Sequence, residues 1–560
     1  MQKIWLKSYP PGVPAQIDRN AIRSLREMAE ESFARFAERP AFSQMGRAMS
    51  FRELEEHSRA FGAWLQKESG LKRGDRLAIM LPNVLQYPIA MFGALRAGMT
   101  VVNTNPLYTA RELEHQLNDS GASAIVVLEN FAHVVTEVLP RTKLKWVLVT
   151  SVGAWLGFPK SRIVDFVVRR VRKQVPAWRI ERALDFRSVV RSGRGLQLDP
   201  VELGHEDIAF LQYTGGTTGI SKGAVLTHGN ICANILQAEA WIRPFLPPPQ
   251  SAQSVLVTPI PLYHIFALTA NCMLFLRLGW HNVLITNPRD LPAFVAELRR
   301  YPFAYLSGVN TLFNALLNTQ GFERLDFSHL KITLGGGMAV QSSVAERWKA
   351  VTGKPLSQAW GLTETSPGVC INPPGEDFNG SIGLPIPSSE VSIKDDSGRD
   401  LAVNEVGEIC VRGPQVMRGY WNRPDETAKV MLPEGWLRTG DIGRMDERGY
   451  VYIQDRKKDM ILVSGFNVYP NEVEEVAAAH PGILEVAAVA QPDEHSGEVV
   501  ALFVVRKDPK LTEKEIIEFC RKSLTAYKVP KHVFFRDELP KTNVGKILRR
   551  ALRDEFTPHA

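Results

Sequence analysis

The sequence predicts an α/β fold with a large N-terminal domain and a small α+β C-terminal domain. Over residues 51–285, helix-like stretches alternate with short β-branched runs, a pattern typical of parallel sheets joined by crossover helices. After Pro385, short strands separated by glycine turns predict a β-rich subdomain. The charged run Asp455–Asp459 marks a boundary, so we expect domains at residues 1–454 and 455–560.

The predicted elements follow from these patterns in chain order. A helical stretch, LEEHSRAFGAWLQKES, precedes the strand-like runs RLAIML, ASAIVVL and WVLVT. A second series contains AYLSGV and KITLGGG, with a helix near Val309–Leu317 between them. Beyond the charged run we expect helices at Asn471–His480 and Glu513–Ser523, with the strands EVAAVAQ and EVVALFVVR between them.

Length and composition are those of an ordinary soluble protein with more than one domain. The 560 residues are too many for one core, so we expect roughly two to four domains. Hydrophobic residues make up 44% and charged residues 23%, which is enough for a sizeable core. Five cysteines lie far apart with no CxxC pair, which argues against a disulfide framework or a zinc site and fits a reducing cytoplasm.

Targeting signals and charge exclude further classes of protein. The start of the chain has no apolar core region, so we expect no signal peptide. Polar residues or prolines break the apolar runs before roughly 18 residues, so we expect no transmembrane helix. The net charge of +7 is too diffuse to indicate nucleic acid, although it would assist binding of polyanionic small molecules or an anionic membrane.

The segment between Lys160 and Lys173 has a pattern of its own. A helical projection separates aliphatic from charged side chains: Ile163, Val164, Val167, Val168 and Val171 on one arc, and Arg162, Asp165, Arg169, Arg172 and Lys173 on the other. Such a helix can lie on an anionic bilayer, and the nearby aromatic residues Trp155, Phe158 and Trp178 suit an interface. A surface helix packed on the protein's own core fits the same pattern, so both interpretations stay open.

A loop rich in glycine and threonine, Tyr213–Gly223, follows the strand-like run IAFLQ. Phosphates need closely approaching backbone N–H groups, hydroxyl donors and a cation, and this loop offers all three. It is not a Walker A loop, because Ser221 stands where that pattern needs a glycine before the lysine. A flexible linker is the alternative, but linkers favour Gly and Ser over Thr.

Six motifs, in order and at similar spacings, resemble the adenylate-forming superfamily. They are this loop, GGG at 335–337, WGLTE at 360–364, TGD at 439–441, DRKK at 455–458 and PKTNVGK at 540–546. The resemblance covers nearly the whole chain and looks closest to bacterial long-chain fatty acyl-CoA synthetases, through stretches such as NPLYTARELEHQLNDSGASAI. It implies αβαβα-layered sheets and a β-rich subdomain in the large domain, with a mobile C-terminal domain.

The resemblance implies that ATP phosphates lie on the glycine- and threonine-rich loop. The residues that would hold them are Thr214, Gly215, Gly216, Thr217, Thr218, Gly219 and Lys222. Thr363 would contact the α-phosphate, and Glu364 with Thr214 would hold Mg²⁺, which prefers carboxylate and phosphate oxygens. Taken alone, Glu364 also fits a solvated helix position.

The nucleoside would lie on the next three motifs. The resemblance places adenine against Gly335, Gly336 and Gly337, stacked on Trp360, where the family more often has Tyr, and Gly361 also belongs to the implied cofactor site. Asp441 would accept the ribose hydroxyls, with Arg456 assisting. Taken alone, Asp441 also fits a turn or a helix cap.

The resemblance assigns the catalytic groups as well. Lys546 would stabilise the charge that develops as a fatty carboxylate attacks the α-phosphate, although a solvated lysine is the alternative. His264 would guard access to the acyl pocket, or would be a core histidine bonded to backbone. Gly465 would let the pantetheine arm of CoA pass, and Asp455 would be an exposed hinge.

These roles imply an AMP-forming long-chain fatty acid:CoA ligase that uses ATP and Mg²⁺, with coenzyme A and a fatty acid as its other substrates. The alternatives are a ligase for medium-chain or aryl acids on the same scaffold, a luciferase-like oxygenase, a non-catalytic membrane-associated nucleotide-binding module and a P-loop ATPase. The last would release ADP instead of AMP. The expected location is the cytoplasm. Peripheral association with the cytoplasmic face of the inner membrane and a homodimer stay open.

Overall fold

The computed structural model of the chain describes residues 3–214, 221–246, 252–493 and 495–556. Its strands are β1 (Pro40–Gln44), β2 (Arg47–Ser50), β3 (Arg76–Met80), β4 (Thr100–Asn103), β5 (Ala124–Leu128), β6 (Trp146–Thr150), β7 (Leu184–Asp185), β8 (Ile208–Thr214), β9 (Lys222–Thr227), β10 (Val255–Thr258), β11 (His281–Leu284), β12 (Phe303–Gly308), β13 (Ile332–Gly336), β14 (Leu356–Gly361), β15 (Gly368–Ile371), β16 (Leu384–Pro385), β17 (Glu390–Lys394), β18 (Gly407–Arg412), β19 (Leu437–Met445), β20 (Val451–Arg456), β21 (Ile461–Val463), β22 (Phe466–Val468), β23 (Ile483–Asp493), β24 (Gly497–Arg506) and β25 (His532–Arg536).

The α-helices of the described ranges are α1 (Leu25–Arg35), α2 (Phe51–Lys67), α3 (Gln86–Arg96), α4 (Ala110–Ser120), α5 (Ala132–Val138), α6 (Lys160–Phe166), α7 (Phe186–Gly193), α8 (His228–Ile242), α9 (Ile265–Ala267), α10 (Leu274–Arg277), α11 (Leu291–Leu298), α12 (Asn310–Leu317), α13 (Ser342–Thr352), α14 (Pro424–Val430), α15 (Pro470–Ala478), α16 (Glu513–Arg521) and α17 (Arg549–Asp554). Local sequence fixes several starts, because a Ser or Thr before the first turn exchanges hydrogen bonds with the residue three positions on. Ser50 with Glu53 begins α2 in this way, and Thr512 with Glu515 begins α16.

Two large sheets build the N-terminal part. Within the described ranges, one has seven strands in the order β7-β6-β5-β3-β4-β8-β9, and the other has nine in the order β16-β15-β14-β13-β12-β10-β11-β1-β2. The inner pairs of both sheets are parallel, for example β3 with β5 and β13 with β14. Parallel strands buried on both faces are the expected product of alternating helices and β-branched runs.

Two smaller sheets complete the described fold. An antiparallel sheet, β17-β18-β19-β20, forms the β-rich subdomain that follows Pro385. In the C-terminal part, β22-β21-β24-β23 carry β25 parallel to β24, and α15 and α16 share an apolar cluster with them. The predicted α/β class, with a large N-terminal and a small C-terminal domain, is confirmed. The boundary at residue 455 stays a prediction, since that residue lies within β20.

The helix predicted over residues 160–173 is wrong in its extent and in its apolar face. The helix α6 ends at Phe166, and a π-helical turn continues over Val167–Val171, so later side chains point in new directions. Val168 is buried and Val164 packs against the core, whereas Ile163 remains exposed. The predicted aliphatic arc is therefore divided between the core and the surface.

All five cysteines, Cys232, Cys272, Cys370, Cys410 and Cys520, are buried free thiols. Burial raises the pKa of each thiol, that of Cys520 to about 11. Among the described residues, the helices include none that is both long and apolar enough to cross a bilayer.

Candidate active site

A cavity of about 330 Å³ lies between the carboxyl ends of β13 and β14 and the C-terminal domain. Ligands of open α/β sheets bind at this end of parallel strands. The cavity brings together predicted residues from five separate motifs: Gly337, Trp360, Gly361, Asp441, Arg456 and Lys546. Residues that are far apart in sequence thus face one volume.

Trp360, Asp441 and Arg456 form one wall of this cavity. The indole Nε1 of Trp360 donates to Asp441 Oδ2 over 2.9 Å, and Arg456 Nε lies 3.0 Å from Asp441 Oδ1. Asp441 and Arg456 are partners in the β19–β20 ladder, which sets their side chains beside each other. Asp441 is only 1% exposed, yet its Oδ1 accepts no hydrogen bond from the described residues.

The protein's own packing and backbone conformation explain the predicted glycines Gly335, Gly336, Gly337 and Gly361, of which only Gly337 and Gly361 line the cavity. A Cβ at Gly335 would lie 2.7 Å from Val340 Cγ2, and one at Gly361 would lie 1.8 Å from the carbonyl oxygen of Pro367. A Cβ at Gly336 would lie 3.1 Å from the carbonyl oxygen of Ala359. Gly337 has a φ of +80°, which favours glycine. Their predicted approach to adenine stays a prediction, because packing and, at Gly337, backbone conformation account for these glycines.

Lys546 reaches the cavity from a tight loop before α17. Within the loop, the backbone N–H of Thr542 donates to Lys546 O over 2.7 Å and Lys546 N–H donates to Thr542 Oγ1 over 3.1 Å. Thr311 on α12 donates to Gly545 O over 2.8 Å, which fixes the loop to the N-terminal domain. Burial, with the nearby Arg456 charge, lowers the pKa of Lys546 to about 8.

His264 lies beside the site but not on the cavity wall. Its Nδ1 accepts a hydrogen bond from the backbone N–H of Phe266 over 3.3 Å, so it caps the start of α9. Burial, with the Lys546 charge, lowers its pKa to about 4, so the imidazole is neutral at physiological pH. This geometry fits the backbone-bonded alternative, and its nearness to Lys546 keeps the catalytic role a prediction.

The structure describes the predicted phosphate end of the site only in part. Thr214 and Lys222 are partners at the end of the β8–β9 ladder, whereas Gly215, Gly216, Thr217, Thr218 and Gly219 lie outside the described residues. Lys222 pairs with Glu426, and its Nζ lies 5.2 Å from the ring centroid of Tyr420. The hydrogen bond from Lys222, with one from Lys429, lowers the pKa of Glu426 to about 2.

Glu364 lies in the turn Thr363–Thr365, directly after β14. The hydroxyl of Tyr420 donates to Glu364 Oε1 over 2.7 Å, and the backbone N–H of Met417 donates to Glu364 O over 2.8 Å. Burial, followed by the Glu364 charge, raises the pKa of Tyr420 well above its usual value, so the phenol remains a donor. The carboxylate is thus held through one oxygen, which suits a Mg²⁺ ligand.

Comparison with protein families identifies the chain. The profile of the AMP-binding enzyme family matches residues 29–421, and that of the AMP-binding enzyme C-terminal domain matches residues 472–546. This chain belongs to the AMP-binding enzyme family. A relative from Escherichia coli O157:H7, named long-chain-fatty-acid–CoA ligase, is 57% identical over 99% of this chain and 98% of its own. One of the same name from Haemophilus influenzae is 52% identical over 99% of both chains.

Solved structures of the family agree with the fold and with the arrangement of its parts. ATP-bound MatB from Rhodopseudomonas palustris is 26% identical, with a TM-score of 0.81 over 96% of this chain and 99% of that chain. Apo MatB from the same organism gives a TM-score of 0.72 over the same shares. The present structure is therefore closer to the ATP-bound form of that protein.

The prediction that Asp455 is an exposed hinge is wrong about exposure. In this AMP-binding enzyme Asp455 is 2% exposed, and Arg549 Nη1 donates to its Oδ1 over 2.8 Å. Arg549 also binds both oxygens of Glu474, at 2.8 and 2.7 Å. Burial raises the pKa of Glu474, which the Arg549 charge opposes. A buried acid needs such a partner, and here the partner comes from α17.

Gly465 lies away from the cavity, in the turn between β21 and β22. Its φ is +85°, and a Cβ there would meet nothing within 4 Å, so the turn conformation alone explains the glycine. The neighbouring Phe466 is exposed and stacks on Tyr527 with ring centroids 4.8 Å apart. The predicted contact of Gly465 with CoA stays a prediction.

Sequence reasoning missed four residues that hold the predicted ones in place: Tyr420, Glu426, Glu474 and Arg549. Each acts across a long sequence separation, for example Tyr420 on Glu364 and Arg549 on Asp455. No spacing rule joins such pairs, because only the folded sheets bring them together.

Proposed function

We infer that this AMP-binding enzyme is an AMP-forming long-chain-fatty-acid–CoA ligase. It uses ATP and Mg²⁺, with CoA and a fatty acid as substrates. In the first step a carboxylate oxygen bonds to the α-phosphorus of ATP, and pyrophosphate leaves as its bond breaks. In the second, the CoA sulfur bonds to the acyl carbon and AMP leaves with the oxygen between them. The relatives of that name, alike over almost the whole chain, support this reaction.

The observation that carries the proposal is Lys546 in one cavity with Trp360, Asp441 and Arg456. A carboxylate that approaches a phosphate brings two anions together, so a cation between them lowers the barrier. We propose that Lys546 supplies this charge, while Trp360 stacks on adenine and Asp441 accepts the ribose hydroxyls. The spare acceptor capacity of Asp441 Oδ1 supports the last role, since this buried oxygen is ion-paired with Arg456 but accepts no aligned hydrogen bond from the described residues.

At the other end of the site, Lys222 and Glu364 are proposed to meet the phosphates. Lys222 would leave Glu426 for a phosphate oxygen, and Thr214 and Glu364 would hold Mg²⁺, which neutralises phosphate charge when bound. The loop residues Gly215, Gly216, Thr217, Thr218 and Gly219, with Thr363, would complete this end. The chemistry of these side chains, hydroxyls and a carboxylate beside a cation, supports the assignment.

For the second step, we propose that the domain after Asp455 rotates, withdraws Lys546 and brings Gly465 towards the acyl-adenylate. Such a rotation must open the contact between Arg549 and Asp455, or carry both residues together. The loop contact from Thr311 to Gly545 must also open. Both contacts are polar, and water can replace a polar contact at less cost than an apolar one.

Single-turnover assays of Lys546→Ala test the proposal. Removing one charge-stabilising group typically costs about 10²–10³ in rate. We expect such a loss in acyl-AMP formation, with thioester formation from supplied acyl-AMP nearly intact. Lys541→Ala is the matched control, because Lys541 lies in the same loop but pairs with Glu485. Equal loss in both steps would contradict the assignment. A panel of acids from aryl and medium-chain to long-chain would separate the alternative ligase.

We also propose peripheral association with an anionic membrane, through the segment from Phe158 to Val171. Its apolar side chains lie open to solvent: Phe158 is 89% exposed, Ile163 58%, Phe166 61% and Val171 64%. Exposed basic side chains, Arg162, Arg170, Arg172 and Lys173, surround them. Arg169 is excluded from this set because it pairs with buried Glu129. Apolar groups ringed by free cations suit the headgroup region of an anionic bilayer.

Vesicle sedimentation tests this surface. We expect binding to vesicles that contain phosphatidylglycerol, weaker binding in high salt, and loss of binding in Phe158→Ser/Phe166→Ser. Leu107→Ser is the control, because Leu107 is 53% exposed outside this segment. If Phe158→Ser/Phe166→Ser bound these vesicles as well as Leu107→Ser does, the proposed membrane-binding surface would be refuted.

A homodimer is the remaining partner hypothesis, and it stays a proposal. Sedimentation equilibrium at graded concentrations measures it directly, against a chain mass of 62.6 kDa. A constant mass at that value would exclude the dimer over the range measured.

A further inference from the structure

We propose that Trp360 positions Asp441 through its indole N–H and so sets how strictly the enzyme requires the ribose hydroxyls of its nucleotide. The inference rests on the proposed function, in which Asp441 meets the ribose. It assigns Trp360 a second task besides contact with adenine, and the two tasks use different parts of the same side chain.

The geometry that carries the inference is the 2.9 Å hydrogen bond from Trp360 Nε1 to Asp441 Oδ2. Both residues are closed off from bulk water, at 8% and 1% exposed. A hydrogen bond to a buried charge is stronger than one in water. Arg456 stands beside the other oxygen, 3.0 Å from Oδ1. With one oxygen held by an N–H and the other beside a cation, the carboxylate has a single preferred orientation.

That orientation leaves acceptor capacity for a ligand. Each carboxylate oxygen can accept about two hydrogen bonds. Oδ2 takes one from Trp360, and Oδ1 takes none from the described residues. Ribose hydroxyls are donors of the right kind for the remaining positions. A hydroxyl that binds a carboxylate already held in the right orientation contributes more binding free energy than one that binds a carboxylate that must first rotate.

An indole suits this double task better than the other aromatic rings. Its donor lies at the ring edge, so the ring face remains free to stack on a base. Phenylalanine has the face but no donor. The backbone around Trp360 also fixes the ring, because β14 pairs with β15 at Cys370 and Gly361 has no room for a side chain.

Without the indole N–H of Trp360, the carboxylate of Asp441 is expected to rotate towards nearby cations. Arg456 lies beside it, and Lys458 and Lys546 line the same cavity. A carboxylate released from Trp360 would follow those cations and meet the ribose less well. The selectivity of the enzyme between ATP and its deoxy analogues would then fall, although stacking on the base is retained.

The experiment compares Trp360→Phe with the intact chain, using ATP, 2′-deoxy-ATP and 3′-deoxy-ATP. We expect KM for ATP to rise about tenfold, the cost of one hydrogen bond to a charged group. KM for each analogue that lacks a hydroxyl bound by Asp441 should rise less than KM for ATP. The loss should fall mainly on KM and less on kcat. Trp360→His, which restores a ring N–H, should recover part of the selectivity.

Trp348→Phe is the matched control. Trp348 is a buried tryptophan outside the cavity, and its Nε1 donates to Thr333 Oγ1 over 3.2 Å. The substitution Trp348→Phe should lower the stability of the fold without changing the ratio between KM for the deoxy analogues and KM for ATP. An equal rise for ATP and both analogues in Trp360→Phe would overturn the inference, since it would indicate stacking or folding alone. Nucleotide binding by calorimetry gives the same comparison without turnover, so a failure of the ligase assay would not be mistaken for a failure here.

Discussion

The two ends of the active-site cleft differ in how their charges are satisfied. At the proposed nucleoside end, Asp441 is oriented by Trp360 and Arg456, and its Oδ1, ion-paired with Arg456, accepts no aligned hydrogen bond from the described residues. At the phosphate end, Lys222 pairs with Glu426, and Glu364 accepts from Tyr420. In the proposed function, the first end is oriented for its ligand in advance, whereas the second neutralises its own charges until a ligand displaces them.

This difference has a physical reason. A nucleoside is neutral, so a preorganised acceptor binds it without having to give up a strong partner. A triphosphate with its metal ion brings several charges, and the protein groups that would bind those charges would destabilise the free protein if they stood unpaired. Exchangeable partners such as Glu426 avoid that cost. We therefore expect substitutions at the nucleoside end to have larger effects than those that touch only the exchangeable partners.

Asp441→Asn should have the largest effect. It removes the charge that Arg456 pairs with and weakens two expected contacts to ribose, so we expect KM for ATP to rise about a hundredfold. Steady-state kinetics at saturating fatty acid and CoA measure this rise. Asp446→Asn, a buried aspartate directly after the same strand, is the control for stability. A change below fivefold in Asp441→Asn would remove the contrast between the two ends.

The pH dependence of acyl-AMP formation should show the next effect. In the proposed function Lys546 acts as a cation, and its pKa in the free protein is about 8, below the usual lysine value. Its charge is present below that pH and lost above it. We therefore expect kcat/KM to fall about tenfold per pH unit on the alkaline side. In Lys546→Arg the guanidinium stays charged, so the profile should be lower but flat to pH 10. If the alkaline fall in kcat/KM were the same in Lys546→Arg as in the intact chain, the assignment of Lys546 would be contradicted.

Tyr420→Phe should have a smaller effect at the phosphate end. It removes the hydroxyl that holds Glu364 Oε1, so the carboxylate loses its fixed direction. We expect the Mg²⁺ concentration for half-maximal activity to rise about fivefold, with a small change in KM for the fatty acid. Tyr450→Phe is the matched control, because Tyr450 makes a similar 2.8 Å contact with Glu376 away from the site. Equal behaviour of the two variants would count against this role for Tyr420.

Glu426→Gln should have the smallest effect, and in the opposite direction. Without the paired carboxylate, Lys222 no longer exchanges partners when ATP binds, so KM for ATP should fall about threefold at low salt. The gain should vanish at high ionic strength, where exposed pairs are screened. Glu206→Gln, at another exposed pair with Arg418, should leave KM unchanged. A rise in KM in Glu426→Gln would indicate that Glu426 positions Lys222 for its ligand.

The sequence predicted the fold class because alternating helices and β-branched runs report burial directly. It also pointed to Asp441, Arg456 and Lys546, since each lies in a short motif that a resemblance can recognise. The structure then placed all three in one cavity. What one sequence did not reveal was which partner each charge has. Asp455 reads as a surface residue in a charged run, and only the fold brings Arg549 to it.

The segment after Lys160 was mispredicted for a related reason. A helical projection assumes one continuous period, and the π-helical turn at Val167–Val171 changes that period midway. Two hydrogen bonds to Asp165, from Ser151 Oγ and the backbone N–H of Gly153, both at 2.8 Å, also decide which face packs inward. Neither feature is visible in hydrophobic spacing.

Because all five native cysteines are buried, the chain is well suited to labelling at a single introduced cysteine. Their raised pKa values leave little thiolate for maleimide chemistry at neutral pH. A single cysteine introduced at Ser464, exposed beside Gly465, would therefore carry a fluorophore almost alone. Paired with a second label on the N-terminal domain, that dye would test whether the β21–β22 turn moves during turnover as proposed.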